Sequence, residues 1–246
     1  MRLIINADDL GRSREVNNAI AELFAEGLIT SATLMANAPF LEDAIRKVPA
    51  FCRRSLGIHL NITEFRPLTA HPAWRGWLDE QGWSSLEAFR TRPLSSGLKA
   101  AIYAEWTAQI NRVRALGLEI SHLDSHHDVH LDLRLFGVLK RVQFQTGLRK
   151  VRLAENISVG HPQGWRKNRL WNWALRYFPP IAITTSGFTT FATFLEAARQ
   201  ERLPYASLEV MVHPGHPNFS KEISLLKEPW RQTLSLPLQL ISYCDL

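Results

Sequence analysis

Residues 2–36, RLIINADDLGRSREVNNAIAELFAEGLITSATLMA, read as one strand–helix–strand unit. Arg2–Asn6 is a short apolar, β-branched run that ends in Ala-Asp-Asp-Leu-Gly. Ser13 is placed to cap a helix running to about Glu26, and Gly27 is placed to close it. Ile29–Ala36 then reads as a second strand. The alternation continues with a helix around Phe40–Val48 and the strand Ser55–Leu60, a helix near Leu98–Leu116 and the strand Glu119–Leu123, and a helix near Leu133–Thr146 and the strand Lys150–Leu153. Ile181–Thr184, a helix near Thr190–Glu201, the strand Ser207–Val212 and the run Gln239–Tyr243 complete it. Residues 63–96, rich in Pro, Gly and Trp, are long for a plain connection and read as an irregular loop insertion. Sustained alternation implies parallel strands joined by crossover helices. About seven such units suit a closed or nearly closed (β/α) barrel better than an open doubly wound sheet. Neither GxGxxG nor GxxxxGK(S/T) occurs, so nothing supports a nucleotide-binding sheet. The expectation is one α/β domain over residues 1–246.

The composition fits that architecture. Hydrophobic residues make up 46% and charged residues 21% of 246, enough to bury a large core and too little charge for a disordered chain. No apolar run approaches the roughly 20 residues of a membrane span. Asp8 and Asp9 come too early to leave room for a signal-peptide hydrophobic region. Cys52 and Cys244 lie far apart with no CxxC partner, which argues against a zinc knot or a disulfide framework. A reduced, cytoplasmic protein is expected. The net charge of +6 is regional: between Asp132 and Glu196 ten Lys and Arg residues face one acid, Glu155.

In a (β/α) barrel the active site collects at the C-terminal ends of the strands. Polar clusters should therefore follow the apolar runs, and four do. Asp8 and Asp9 follow the first strand, His59 and Asn61 close the third, HLDSHHDVH (122–130) follows the strand near 120, and His213 closes EVMV. Six of the nine histidines fall in these places. Taken singly, an Asp pair is most often a turn or cap, and a lone His is most often a satisfied core residue. Their coincidence at successive strand ends is what suggests chemistry. Aspartate with imidazole is the ligand set of a hydrolytic divalent ion that keeps open positions for water and substrate.

The strings NADDLG, TSATLMAN, GIHLN, RPLTAHP, SHLDSHHDVH, SLEVMVHP and SYCDL, in this order and spacing, resemble the YdjC-like carbohydrate deacetylases, the group of the chito-oligosaccharide and hopanoid-associated deacetylases. The resemblance implies a distorted (β/α) barrel related to the polysaccharide deacetylases. It also implies metal-dependent removal of N-acetyl groups from amino sugars, with one divalent ion, Mg²⁺ or Zn²⁺. On the resemblance Asp9, His59 and His126 would be ligands, Asp8 the general base and His213 the general acid. Asp124 and His130 would orient the ligands, although His130, four residues beyond His126, competes for the third ligand place. Asn37 and Arg152 are candidate substrate contacts, with a surface ion pair as the other reading of Arg152.

Two stretches depart from the family pattern. Pro229 and Pro237 leave little room for a long last helix between Lys221 and Leu246, a gap that a partner chain, as in a homodimer, would cover. Arg149–Phe178 is basic and aromatic. A wheel puts Leu170, Trp171, Ala174, Leu175 and Phe178 on one side and Arg166, Arg169 and Arg176 roughly opposite. It reads as a barrel helix with a solvated face. The sharper reading is an interfacial helix that makes peripheral contact with the inner membrane face and a lipid-linked glycoconjugate, using Trp165, Trp171 and Trp173. A metal-dependent phosphoester hydrolase is the runner-up, weakened by too few carboxylates for two metals. A basic nucleic-acid-binding protein would leave the strand-end clusters unexplained, so no nucleic-acid partner is expected.

Overall fold

The computed structural model describes residues 1–47, 55–158, 164–200, 203–234 and 237–246. Val48, Cys52 and Glu201 lie outside them, and with them two of the expected helix ends. The described strands are β1 (Arg2–Leu10), β2 (Ser31–Leu34), β3 (Leu56–Leu60), β4 (Leu123–Ser125), β5 (Gly187–Thr190), β6 (Ser207–Val212) and β7 (Gln239–Leu240). All pair in parallel, in the order β4–β3–β2–β1–β6–β5. β7 takes the lower part of the β1 edge, opposite Arg2 and Leu3, and β2 takes the upper part from Asn6. The sheet curls, and residues 150–157 span the gap between β4 and β5. Single bridges Leu123↔Val151 and Lys150↔Ile183 do so lower down, and Asn156 bonds the backbone of Phe188 above. The result is a distorted barrel of seven strands whose weakest wall is this irregular segment. Lys150–Leu153 and Ile181–Thr184, expected as strands, supply only those bridges.

Helices cover the outside: α1 (Arg14–Ala25), α2 (Leu41–Lys47), α3 (Leu86–Thr91), α4 (Ser96–Ala115), α5 (Phe136–Thr146), α6 (Trp165–Tyr177), α7 (Phe191–Arg199) and α8 (Ser220–Lys227). α1 shows why. The Ser13 side chain accepts the Val16 N–H, and Gly27 leaves the helix at φ +65°. Val16, Ile20, Leu23 and Phe24 form one buried stripe. Burial of each such side chain contributes about 1.5–3 kcal/mol, against about 1 kcal/mol for the cap, so packing rather than capping holds α1.

The last helix is short, as expected. In α6, Trp171 and Leu175 are buried as the wheel placed them. Leu170 and Phe178 are not; with Trp165, Trp173 and Tyr177 they are exposed beside Arg166, Lys167 and Arg169. Among the described residues no helix is long and apolar enough to cross a membrane.

An irregularity in β1 aims its two aspartates. The strand runs on past Asn6 to Leu10, so both lie inside it. Its register with β2 slips between Ala7 and Leu10, where Asp9 adopts φ +68°. A regular strand would send neighbouring side chains to opposite faces. The bulge instead turns both Asp8 and Asp9 to one cavity, and aspartate is among the few side chains that tolerate the left-handed region.

Candidate active site

A cavity of about 280 Å³ opens at the upper end of the barrel. Asp8 and Asp9 of β1, His59 of β3, His126 and His127 after β4, and Met211 and His213 at the end of β6 face it. Strand ends from four strands, or the turns beyond them, thus meet at one place.

Asp9 Oδ1 lies 2.8 Å from His126 Nδ1 and 3.3 Å from His59 Nε2. All three side chains are buried. Their potential ligand atoms fall within 4.8 Å of one another. Asp9 Oδ1 touches only the two imidazoles, and His126 Nε2 touches Glu64 Oε2 at 2.8 Å, yet none of these contacts has the geometry of a hydrogen bond. Buried polar atoms are seldom left so, and a cation of suitable chemistry would satisfy them. Burial works against the charge on Asp9, yet the two imidazoles hold its carboxyl well below the ordinary range. Burial likewise works against imidazolium at His59, and Asp124 with Asp9 outweighs it and raises that group well above its usual value.

A second triad, Asp8, His59 and Asp124, is as compact. It fits an ion poorly because its carboxylates are already engaged. Asp124 accepts from His59 Nδ1 at 2.7 Å and from Thr33 at 2.9 Å, and pairs with Arg152 at 2.9 Å. That geometry orients His59 so that Nε2 faces Asp9, the arrangement of a carboxylate behind a metal-binding histidine.

Asp8 is clamped. Arg152 donates to both of its oxygens at 2.6 Å, and Asn6 donates to Oδ1 at 2.8 Å. Burial opposes the charge here too, but the guanidinium keeps the carboxyl far below its usual range. Across the cavity His213 Nε2 stands 4.0 Å from Asp8 Oδ2. His213 stacks on Phe219, and its Nδ1, without a hydrogen-bond partner, points towards Glu222 at 3.9 Å. Burial lowers its basicity, while Glu222 and Asp8 more than restore it, so its proton is held more tightly than in free histidine.

The remaining expected residues lie elsewhere. Arg152 is neither at the surface nor open to a substrate: it is fully buried and holds three carboxylates, Asp8, Asp124 and Glu209. Asn37 stands behind the site. Its amide donates to the carbonyls of Glu64 and Arg66 and accepts from Asn61, which pins the loop after β3. His130 bonds Ser125 and the Arg152 carbonyl, away from the ligand atoms, and burial pushes it down to about 3. It braces the turn that presents His126.

Several site residues carry no obvious mark in the sequence. Glu64 Oε2 is 2.8 Å from His126 Nε2, and Arg12 holds Glu64 from the other side at 3.0 Å. Glu64 comes three residues after Asn61, at the expected strand end, and that position was the available signal. Glu209 shares a strand face with Met211 and His213 at a spacing of two, which places it inward.

A family model described as YdjC-like protein matches residues 2–234. A carbohydrate deacetylase of Vibrio campbellii is 35% identical over 151 residues, covering 61% of this chain and 59% of that protein. One from Geobacillus stearothermophilus is 37% identical over 153 residues, 61% and 60% of the two chains. These two matches thus span less than two thirds of each relative. A third, from Halalkalibacterium halodurans, is 34% identical over 225 residues, 88% and 86% of the two. A crystal structure from Enterococcus faecalis V583, of a protein described provisionally as a cellobiose-phosphate cleavage protein, superposes with a TM-score of 0.77 at 21% identity, over 99% of this chain and 98% of the other. That likeness supports the distorted barrel. With a family model that covers all but the last twelve residues and the first, the chain belongs to the YdjC-like protein family.

Proposed function

We propose that the chain is a metal-dependent hydrolase that removes the N-acetyl group of an N-acetylated amino sugar, free or within a glycoconjugate. The observation that carries this reading is the buried Asp9–His59–His126 cluster, whose ligand atoms lie within 4.8 Å of one another, set beside a second carboxylate that an arginine keeps ionised. The name carbohydrate deacetylase, shared by the three relatives above, points the same way.

Asp9, His59 and His126 would hold the ion. A divalent ion there supplies Lewis acidity for the acetamide carbonyl and makes a bound water more acidic. Asp8 takes the proton of the attacking water. Because both of its oxygens are bonded to Arg152, its direction is set before a substrate arrives. An amine anion is a poor leaving group, so the departing nitrogen needs a proton, which His213 donates from across the cavity. Arg152, Asp124 and His130 act by holding Asp8, His59 and the His126 turn.

The test is acetate release from a panel of N-acetylated saccharides, soluble and lipid-linked, by chelator-treated protein given Mg²⁺ or Zn²⁺. Release that depends on added ion is expected. No acetate from any saccharide with either ion sinks the reading.

A further inference from the structure

Beneath Asp8 runs a line of buried polar groups that the proposed reaction leaves unused. It begins at Tyr243, in the turn Tyr243–Asp245, which a Ser242–Asp245 capping box holds. This segment enters the barrel from the end opposite the cavity, because β7 pairs only with Arg2 and Leu3 of β1. The Tyr243 ring is fully buried and stacks on His122, with ring centres 3.6 Å apart. Its hydroxyl donates to Oε2 of Glu209. The other oxygen, Oε1, accepts from Nε of Arg152 at 2.8 Å. The terminal nitrogens of Arg152 hold Asp8 at 2.6 Å. Hydrogen bonds thus connect the floor of the barrel to the cavity without a break.

The chemistry of guanidinium gives this line a consequence. The group is planar, so an acceptor fixed at Nε sets its rotation and, with it, the direction of both terminal nitrogens. Glu209 is that acceptor. Burial, with a smaller push from the Asp124 charge, moves its carboxyl up to about 7, against the pull of Arg152 and Tyr243 towards the charged form. Glu209 Oε2 has no hydrogen-bond partner except Tyr243 among the described residues. Loss of the hydroxyl would leave a buried oxygen unpaired and Glu209 free to turn.

We propose that Glu209 and Tyr243 are positioning residues: they fix the plane of Arg152 and, through it, the direction of Asp8. The proposal rests on the reading of Asp8 as general base. It assigns to the end of the chain, at the far side of the barrel, a part in the chemistry that local stability would not require.

Two variants of the full chain test it, Tyr243→Phe, which keeps the ring stack, and Glu209→Gln, which serves equally should the first fail to fold. One readout is exchange of the Arg152 Nε–H with water, followed by NMR on protein labelled with ¹⁵N-arginine. In Tyr243→Phe this exchange should quicken by about tenfold or more, because the acceptor at Nε is no longer held. The second readout is steady-state acetate release: kcat should fall about tenfold to a hundredfold, with KM changed less than about twofold. Ion affinity should stay within about twofold, since Asp9, His59 and His126 are untouched. Unchanged Nε–H exchange in a folded variant overturns the relay. Faster exchange with unchanged kcat overturns its part in the chemistry. If the wild-type chain releases no acetate, the deacetylase reading and the catalytic half of this proposal fall together, while the exchange arm still decides the clamp on Arg152.

Discussion

Asp8 and Asp9 are adjacent in the chain, yet their carboxylates meet different partners, a guanidinium for Asp8 and two imidazoles for Asp9. The difference separates the roles. Asp8→Asn keeps the shape but cannot accept a proton, so kcat should fall by about three orders of magnitude or more. Ion binding, measured by calorimetry, should survive, and activity within about tenfold of wild type would reduce Asp8 to a structural residue. His213→Ala should lower kcat far more than it raises KM, because protonation of the leaving amine belongs to the transition state. Equal kcat with raised KM would make His213 a substrate contact. The sequence shows such residues when they follow an apolar run, as Asp8, Asp9, His59, His126 and His213 do. It conceals those whose partners are remote: Glu64 meets Arg12, and Arg152 meets Glu209 and Asp8, and no local pattern announces these pairings.

At the level of elements, α4 does more than cover the sheet. Its buried Glu105 accepts the N–H groups of Leu68 and Thr69, and Gln109 bonds both backbone groups of Asn61. The helix thereby holds the loop that carries Glu64. β3 shows the opposite economy of space. A Cβ at Gly57 would lie 2.3 Å from His122 and 2.6 Å from Thr33. Gly57→Ala must therefore displace the ring on which Tyr243 stacks, and should destabilise the fold by about 1–3 kcal/mol or more in urea unfolding. A midpoint unchanged from wild type would show that the floor can give way. Helices with a clear stripe and cap, such as α1, were legible to within a residue or two. β5 was not: Gly187–Thr190 carries one large apolar residue, and Thr190 falls at the expected start of a helix, which in the structure it caps. Its strand character comes from pairing with β6, not from its own residues.

For the whole molecule, ligand atoms drawn from three strands or the turns after them make the proposed ion a brace across the barrel. Added Zn²⁺ or Mg²⁺ at a hundred times its dissociation constant should stabilise the fold by about 2.7 kcal/mol, seen as a rise in Tm. The rise should vanish in His126→Ala; a rise retained there would place the ion elsewhere. Strand–helix alternation made the barrel itself readable. It could not reveal that residues 150–157 close the wall by single bridges, because backbone bonding without a regular strand leaves no period to detect.

The placement of β7 bears also on how the chain is made. β1 is synthesised before the other described strands, and its neighbours on either side of Arg2 are Ser207 and Gln239. These contacts are the most distant in sequence that the sheet contains, and closing them has the highest entropic cost. Until residue 240 has left the ribosome, the lower edge of β1 keeps bare N–H and C=O groups beside an apolar run. The interval between the synthesis of β1 and that of β7 is therefore when this sheet is most exposed to wrong pairing.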